Sequence, residues 1–245
     1  MADQSTIRQR PVLITDFDGT LYRGDAPIRH YAEQAAATLD TEARAELLDG
    51  VEKFLALGAA AGPVLAEAID GWEAVAVLGR AAGVAAAELQ RAFLATRELM
   101  LDPVRCPLEV PTGYAELITE LRAAGVRVVL ATNSPADGLD ALLRRLELPP
   151  LLDAVVSGTG KPEGLRRLLR TENPDAPADG WRRLCVIGDH WRNDIEPGHE
   201  VGAHSAYIDR FARADGPASA IAPTVEGLLD SIRTWATDQA PIEGN

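Results

Sequence analysis

The chain has 245 residues, 47% of them hydrophobic and 25% charged, with a formal net charge of −13. That balance describes an ordinary globular chain able to bury a core, as one large domain or two modest ones. The negative charge disfavours nucleic acid and anionic membrane surfaces as partners, and an anionic substrate would need local positive charge. The basic residues are almost all arginine, with only two lysines, Lys53 and Lys161. Cys106 and Cys185 form neither a disulfide framework nor a metal cluster, and Cys185 reads as a small buried side chain within an apolar run. The start, MADQSTIRQR, has no signal-peptide pattern. The Ala/Leu-rich region 54–94 is broken by Glu67, Asp70, Glu73 and Arg80, so no membrane span is expected and a cytoplasmic setting is the default.

In chain order, VLITDFDGTL (12–21) predicts a buried strand that ends at Asp16 and Asp18, with Gly19 letting the chain turn away. Residues 26–101 show only helical spacing: Leu47, Val51, Phe54 and Leu55, then Leu65, Ile69, Trp72 and Val75, then Leu89, Phe93 and Leu94. Gly24 and Pro27 punctuate the entry to this insert, and Pro103 and Pro107 its exit. Strands are then expected at 126–132, 151–157, 183–189 and 204–209, separated by helices at 113–124, 136–146 and 162–170, with Gly125 as a C-terminal cap. A loop is expected at 171–180 and a disordered tail at 238–245. Alternating strands and helices predict an α/β fold, a Rossmann-like doubly wound parallel sheet with helices on both faces. The all-helical insert predicts a second domain over 25–102, leaving 1–24 and 103–237 as the α/β core.

In such sheets chemistry gathers at the carboxyl ends of the strands. There the sequence puts Asp16 and Asp18, then Thr132 and Asn133 in LATNS, Lys161 in SGTGKPEG, and Asp189 and Asp194 in VIGDHWRND. Carboxylates this close repel unless a cation lies among them, and hard oxygen ligands suit Mg²⁺. A hydroxyl, amides and a lysine nearby would hold the oxygens of a phosphoryl group. Singly, each segment has a bland reading: a solvated turn, a helix N-terminus, a surface lysine, a capping pair. Four in order, each at a strand end, do not.

The four segments resemble, in order, the four motifs of the haloacid dehalogenase superfamily: DFDGT, LATNS, GKP, and GD with a second Asp after four intervening residues. The resemblance spans residues 12–209 and implies a role for each match. Asp16 would be the nucleophile, forming an aspartyl-phosphate, and Asp18 the general acid and then base. Gly19, Thr132, Asn133 and Lys161 would bind the phosphate. Asp16, Asp189 and the Asp18 carbonyl would hold Mg²⁺, with Asp194 in support. The dehalogenating members lack an aspartate at the position of Asp18, so the resemblance implies a phosphatase acting on a small phosphorylated metabolite, with the insert as a cap. A sugar-phosphate mutase or a phospho-acceptor without turnover are the alternatives. His190, His199 and His204 lack a shared zinc spacing, His190 and Trp191 are candidates for the site mouth, and Tyr22 and Arg23 are candidates for substrate contact. Trp72 and Phe93 read as cap core, and nothing singles out Arg97 or Arg105 among the arginines.

Overall fold

The computed structural model describes residues 10–174 and 180–239. β1 (Val12–Thr15), β2 (Arg127–Ala131), β3 (Ala154–Val156), β4 (Leu184–Gly188), β5 (His204–Ile208) and β6 (Ala220–Ala222) form one sheet in the order β3-β2-β1-β4-β5-β6. Every pairing is parallel, and Ile14 lies in register between Val129 and Val186. Because side chains alternate across a strand, each run feeds two cores. Leu13, Val128, Leu130 and Ile187 enter one core, with Leu117, Ile118 and Leu121 of α5 (Tyr114–Ala123) and Leu142 of α6 (Leu139–Arg145). Val12, Ile14, Val129 and Val186 enter the other, with Leu165 and Leu169 of α7 (Glu163–Glu172). The apolar runs are continuous because both faces are covered, as a doubly wound sheet requires. α8 (Glu196–Glu200) and α9 (Leu229–Asp238) complete this layer set.

Between β1 and β2 lie α1 (Ala26–Ala35), α2 (Thr41–Leu57), α3 (Gly71–Ala81) and α4 (Ala86–Leu99). They bury an apolar cluster of their own, which includes Tyr31, Val51, Val75 and Leu89. Asp40 and Asp70 cap α2 and α3, their carboxylates accepting from the amides of Ala43 (2.9 Å) and Glu73 (2.7 Å). The insert is tied to the loop after β5: Arg210 makes a two-pronged pair with Asp25, Arg213 Nη1 donates to the Ala68 carbonyl, and the Phe54 and Phe211 rings lie 5.0 Å apart.

Several expected boundaries shift for local reasons. Pro27 lies inside α1, at its first turn, where its missing N–H costs nothing. Leu65 sits in a 3₁₀ turn and Ile69 outside any helix, because the Asp70 cap starts α3 only at Gly71. Leu94, in the same helical run, is exposed. The helix expected from 136 begins at Leu139, after Gly138 takes a φ of 75°. The expected 151–157 strand shrinks to Ala154–Val156, since Pro149–Leu151 forms a 3₁₀ turn. β6 is a three-residue edge strand, too short for any periodicity. α7 extends to Glu172, two residues into the expected loop, of which 175–179 lie outside the described residues. The tail expected at 238–245 begins one residue too early, because α9 includes Asp238; residues 240–245 lie outside the described residues. No described helix is long and apolar enough to cross a membrane.

Candidate active site

β1 is central, and the order of connection reverses between it and β4, so residues just past β1 emerge where a doubly wound sheet opens a crevice. The Asp16 amide prolongs the ladder, donating to the Ile187 carbonyl at 3.0 Å. Its carboxylate is therefore delivered by a rigid strand. Oδ1 accepts from Lys161 Nζ at 2.5 Å and Oδ2 from Thr20 Oγ1 at 3.3 Å. Lys161 Nζ also donates to Asp194 Oδ1 at 2.6 Å, and its side chain is only 4% exposed. Burial works to lower the lysine's proton affinity, but the two carboxylates more than offset it and raise it. Burial pushes Asp16 up to about 7, Lys161 opposing and the charges of Asp194 and Asp18 adding to the rise. Asp189 is raised well above the ordinary carboxylate range by burial first, then by Asp16, Asp194 and Asp70. One lysine does not neutralise this group.

Carboxylate oxygens of Asp16, Asp189 and Asp194 all lie within 4.8 Å of one another, a hard-oxygen set that could hold a divalent cation. Gly19, with φ +81°, is what lets Asp189 approach: a Cβ there would sit 2.2 Å from Asp189 Oδ2. Gly19 thus shapes the acid cluster. Asp194 is aimed by a π-helical turn, Trp191–Ile195, with Oδ2 accepting from the His190 amide at 3.1 Å. The Asp18 carboxylate is not part of this cluster. Its Oδ1 accepts from Tyr22 OH at 2.5 Å and Arg97 Nη1 at 3.2 Å, and its Oδ2 from Ser134 Oγ at 2.8 Å. The two aspartates of the first motif are therefore separated by environment.

The second and third segments meet through backbone. Thr132 Oγ1 accepts from the Ser134 amide at 3.0 Å, and Asn133 Oδ1 from the Lys161 amide at 2.8 Å. Asp16, Asp18, Thr132, Asn133, Lys161, Asp189 and Asp194 all line one cavity of about 300 Å³. Its far wall comes from the helical insert: Asp70, Trp72 and Phe93. Trp72 and Phe93 were expected to be cap core. They do pack on each other and on Tyr31, yet both remain half-buried and line the cavity.

His190 lines the cavity too, burial lowering its proton affinity, while Trp191 donates to the Pro217 carbonyl at 3.1 Å. Among the described residues the acid cluster includes no histidine. Tyr22 is buried against Asp18, whereas Arg23 faces Glu109 and Glu226. Arg97 is the residue with no signal in the sequence. It reaches Asp18 across 79 positions, its guanidinium lies 5.9 Å from the Phe17 ring, and its Nη2 is buried without a hydrogen-bond partner. Ser134 could have been noticed beside Thr132 and Asn133.

A parallel doubly wound sheet with acids at its strand ends and a helical insert after the first strand defines a class of hydrolase. The sequence profile of the haloacid dehalogenase-like hydrolases matches residues 11–202, and the chain belongs to that family. No curated protein matches it significantly in sequence. Among solved structures it is similar to a protein of Haemophilus somnus described as a predicted phosphoglycolate phosphatase, with a TM-score of 0.64 at 15% identity, covering 93% of this chain and 99% of that one. The magnesium-bound protein YfnB of Bacillus subtilis aligns with a TM-score of 0.60 at 16% identity, over 91% and 99%. A 2-haloacid dehalogenase from Pseudomonas syringae aligns with a TM-score of 0.50 at 20% identity, over 92% and 99%. At these identities the likeness speaks for the fold, and the chemistry has to be argued from the site.

Proposed function

We propose that this hydrolase is a Mg²⁺-dependent phosphatase acting on a small phosphorylated metabolite, with residues 25–102 as a cap over a core of 1–24 and 103–237. The observation that carries this reading is Asp18. A carboxylate held by Tyr22, Ser134 and Arg97 at the cavity wall, two residues from the buried Asp16, is suited to moving a proton, which cleavage of a carbon–halogen bond does not require.

In this reading Asp16 attacks phosphorus in line. The new Asp16–phosphorus ester bond forms as the bond to the leaving oxygen breaks, and Asp18 gives that oxygen a proton. Water then attacks phosphorus, Asp18 takes its proton, and the Asp16 carboxylate and inorganic phosphate are released. Lys161 offsets charge on Asp16 and the phosphoryl oxygens; Thr132, Asn133 and Gly19 frame the phosphate pocket. Mg²⁺, held by Asp16, Asp189 and the Asp18 carbonyl with Asp194 in support, would neutralise charge on the transferring group. The trapped acids support a cation, since Asp16 and Asp189 are both pushed towards protonation without one.

The test is phosphate release from p-nitrophenyl phosphate by the purified protein. Turnover that needs Mg²⁺, stops with chelator and disappears in Asp16→Asn is expected. Halide release from 2-haloacids without phosphatase activity would overturn the reading, as would isomerisation of a sugar phosphate with little phosphate release.

A further inference from the structure

Asp70 is a titratable group that the proposed chemistry does not use. It lines the cavity from the insert side with Trp72 and Phe93. The two rings meet edge to face, centroids 5.3 Å apart at 68°, and both line the same cavity as Asp70. Pro135 continues the apolar surface on the core side.

Among the described residues, the only lysine or arginine that lines this cavity is Lys161, and it is paired with Asp16 and Asp194 at the phosphate end. Arg97 is bonded to Asp18 and is not part of the cavity wall. Arg213 is paired with Asp215 in one neighbouring opening; Arg23 and Arg210 line another, which shares Asp70 and Trp72, and they are paired with Glu109 and Glu226 and with Asp25. His190 also lines the cavity, on the core side. The part of the cavity that receives the leaving group therefore offers one negative charge, two aromatic rings and no cation. A carboxylate or second phosphate on the leaving group would face Asp70 uncompensated. An ammonium there would meet both a counter-charge and ring faces, the arrangement that recognises organic cations.

We propose that Asp70, Trp72 and Phe93 form a leaving-group subsite for an amine-bearing or uncharged alcohol and against one that carries a carboxylate. This deepens the phosphatase reading and rests on it. It also separates this chain from a phosphoglycolate substrate, whose leaving group is an anion.

Asp70 has a structural duty as well, since its carboxylate caps α3. Asn serves an N-cap as well as Asp, so Asp70→Asn removes the charge and keeps the cap. The test uses three esters of similar size: 2-aminoethyl, n-propyl and carboxymethyl phosphate. With Mg²⁺, kcat/KM is expected to fall in that order, with at least about tenfold between the first and last, the scale of one close charge contact. In Asp70→Asn the ratio of aminoethyl to carboxymethyl should shrink by about tenfold. Calorimetric binding of the same esters to Asp16→Asn reads the subsite apart from turnover. Hydrolysis of all three with no preference, or with carboxymethyl favoured, overturns the subsite and leaves the phosphatase reading standing. No turnover of these esters or of p-nitrophenyl phosphate removes the phosphatase reading, and ordered binding then leaves Asp70, Trp72 and Phe93 as a cation-selective binding site with no leaving group to receive. No hydrolysis and unordered binding overturns both.

Discussion

On the sheet side of the cavity, Asp16, Lys161 and Asp194 are almost wholly buried, and hydrogen bonds of 2.5 and 2.6 Å join them through one ammonium. Each stands at the end of a strand or on a loop pinned to one, so its position follows from the backbone ladder. On the insert side, Asp70, Trp72 and Phe93 are half-buried, and they rest on side-chain packing within a small helical cluster. Arg97 crosses between the two sides and ends on Asp18. In the proposed phosphatase reading, the rigid wall would carry the reaction and the softer one substrate selection, because chemistry demands fixed distances and a cap must admit what it closes over.

Substitutions on the two walls should therefore fail in different ways. The largest effect is expected on the sheet side: Asp16→Asn should lower phosphatase kcat by at least about 10³-fold, with the thermal melt of the fold retained. Next comes Gly19→Ala. Its Cβ would collide with Asp189 Oδ2 in a backbone conformation that favours glycine, so the Mg²⁺ concentration for half-maximal activity should rise by about tenfold or more, read from metal titrations. Arg97→Met tests the link between the walls. If Arg97 holds Asp18 in place to protonate the leaving group, kcat should fall by about 10 to 100-fold for ethyl phosphate and far less for 2,4-dinitrophenyl phosphate, whose leaving group needs no proton. Equal losses on both esters would reduce Arg97 to a packing residue.

The smallest effect belongs to Asp70 and concerns stability. Burial pushes its carboxyl up to about 6, whereas the unfolded chain titrates near the ordinary value of 3.8. Between those values the native state keeps a proton that the unfolded state has lost. Stability therefore falls as pH rises from about 4 to about 6, and the cost is fully present above that range. In chelator, Asp70→Asn should be more stable than the parent at pH 7.5, by about 1 to 2 kcal/mol after allowance for partial exposure, and no more stable near pH 4. Denaturant melts at the two pH values give the comparison.

The legible part of the site was the part written locally. Asp16 and Asp18 adjoin one apolar run, Asp189 closes another, and a strand's end can be read within a few residues of sequence. The two faces of the sheet were likewise legible, because continuous Val/Ile/Leu runs arise only where both sides are covered. The sequence did not show that Asp18 would be held from three directions, since Tyr22, Ser134 and Arg97 come from three separate stretches of chain. Nor did it distinguish Trp72 and Phe93 as cavity walls, because a ring that packs on a neighbour and a ring that also faces a cavity have the same helical spacing. β6 and the boundaries of α3 and α6 escaped because capping residues and short edge pairings overrode periodicity.

Taken alone, the amino-acid sequence determined the family, the parallel sheet, and which acids, lysine and threonine would gather at the strand ends. The family follows from four ordered motifs, and the sheet and its strand-end residues from hydrophobic period and the polar segments after each strand. Tertiary structure alone decided how the acids divide: Asp189 joins Asp16 and Asp194 over Gly19, and Asp18 turns aside to Arg97. It alone decided which insert residues line the cavity opposite the acids. Those outcomes depend on distances between side chains tens of positions apart, set by how the helical insert packs onto the sheet.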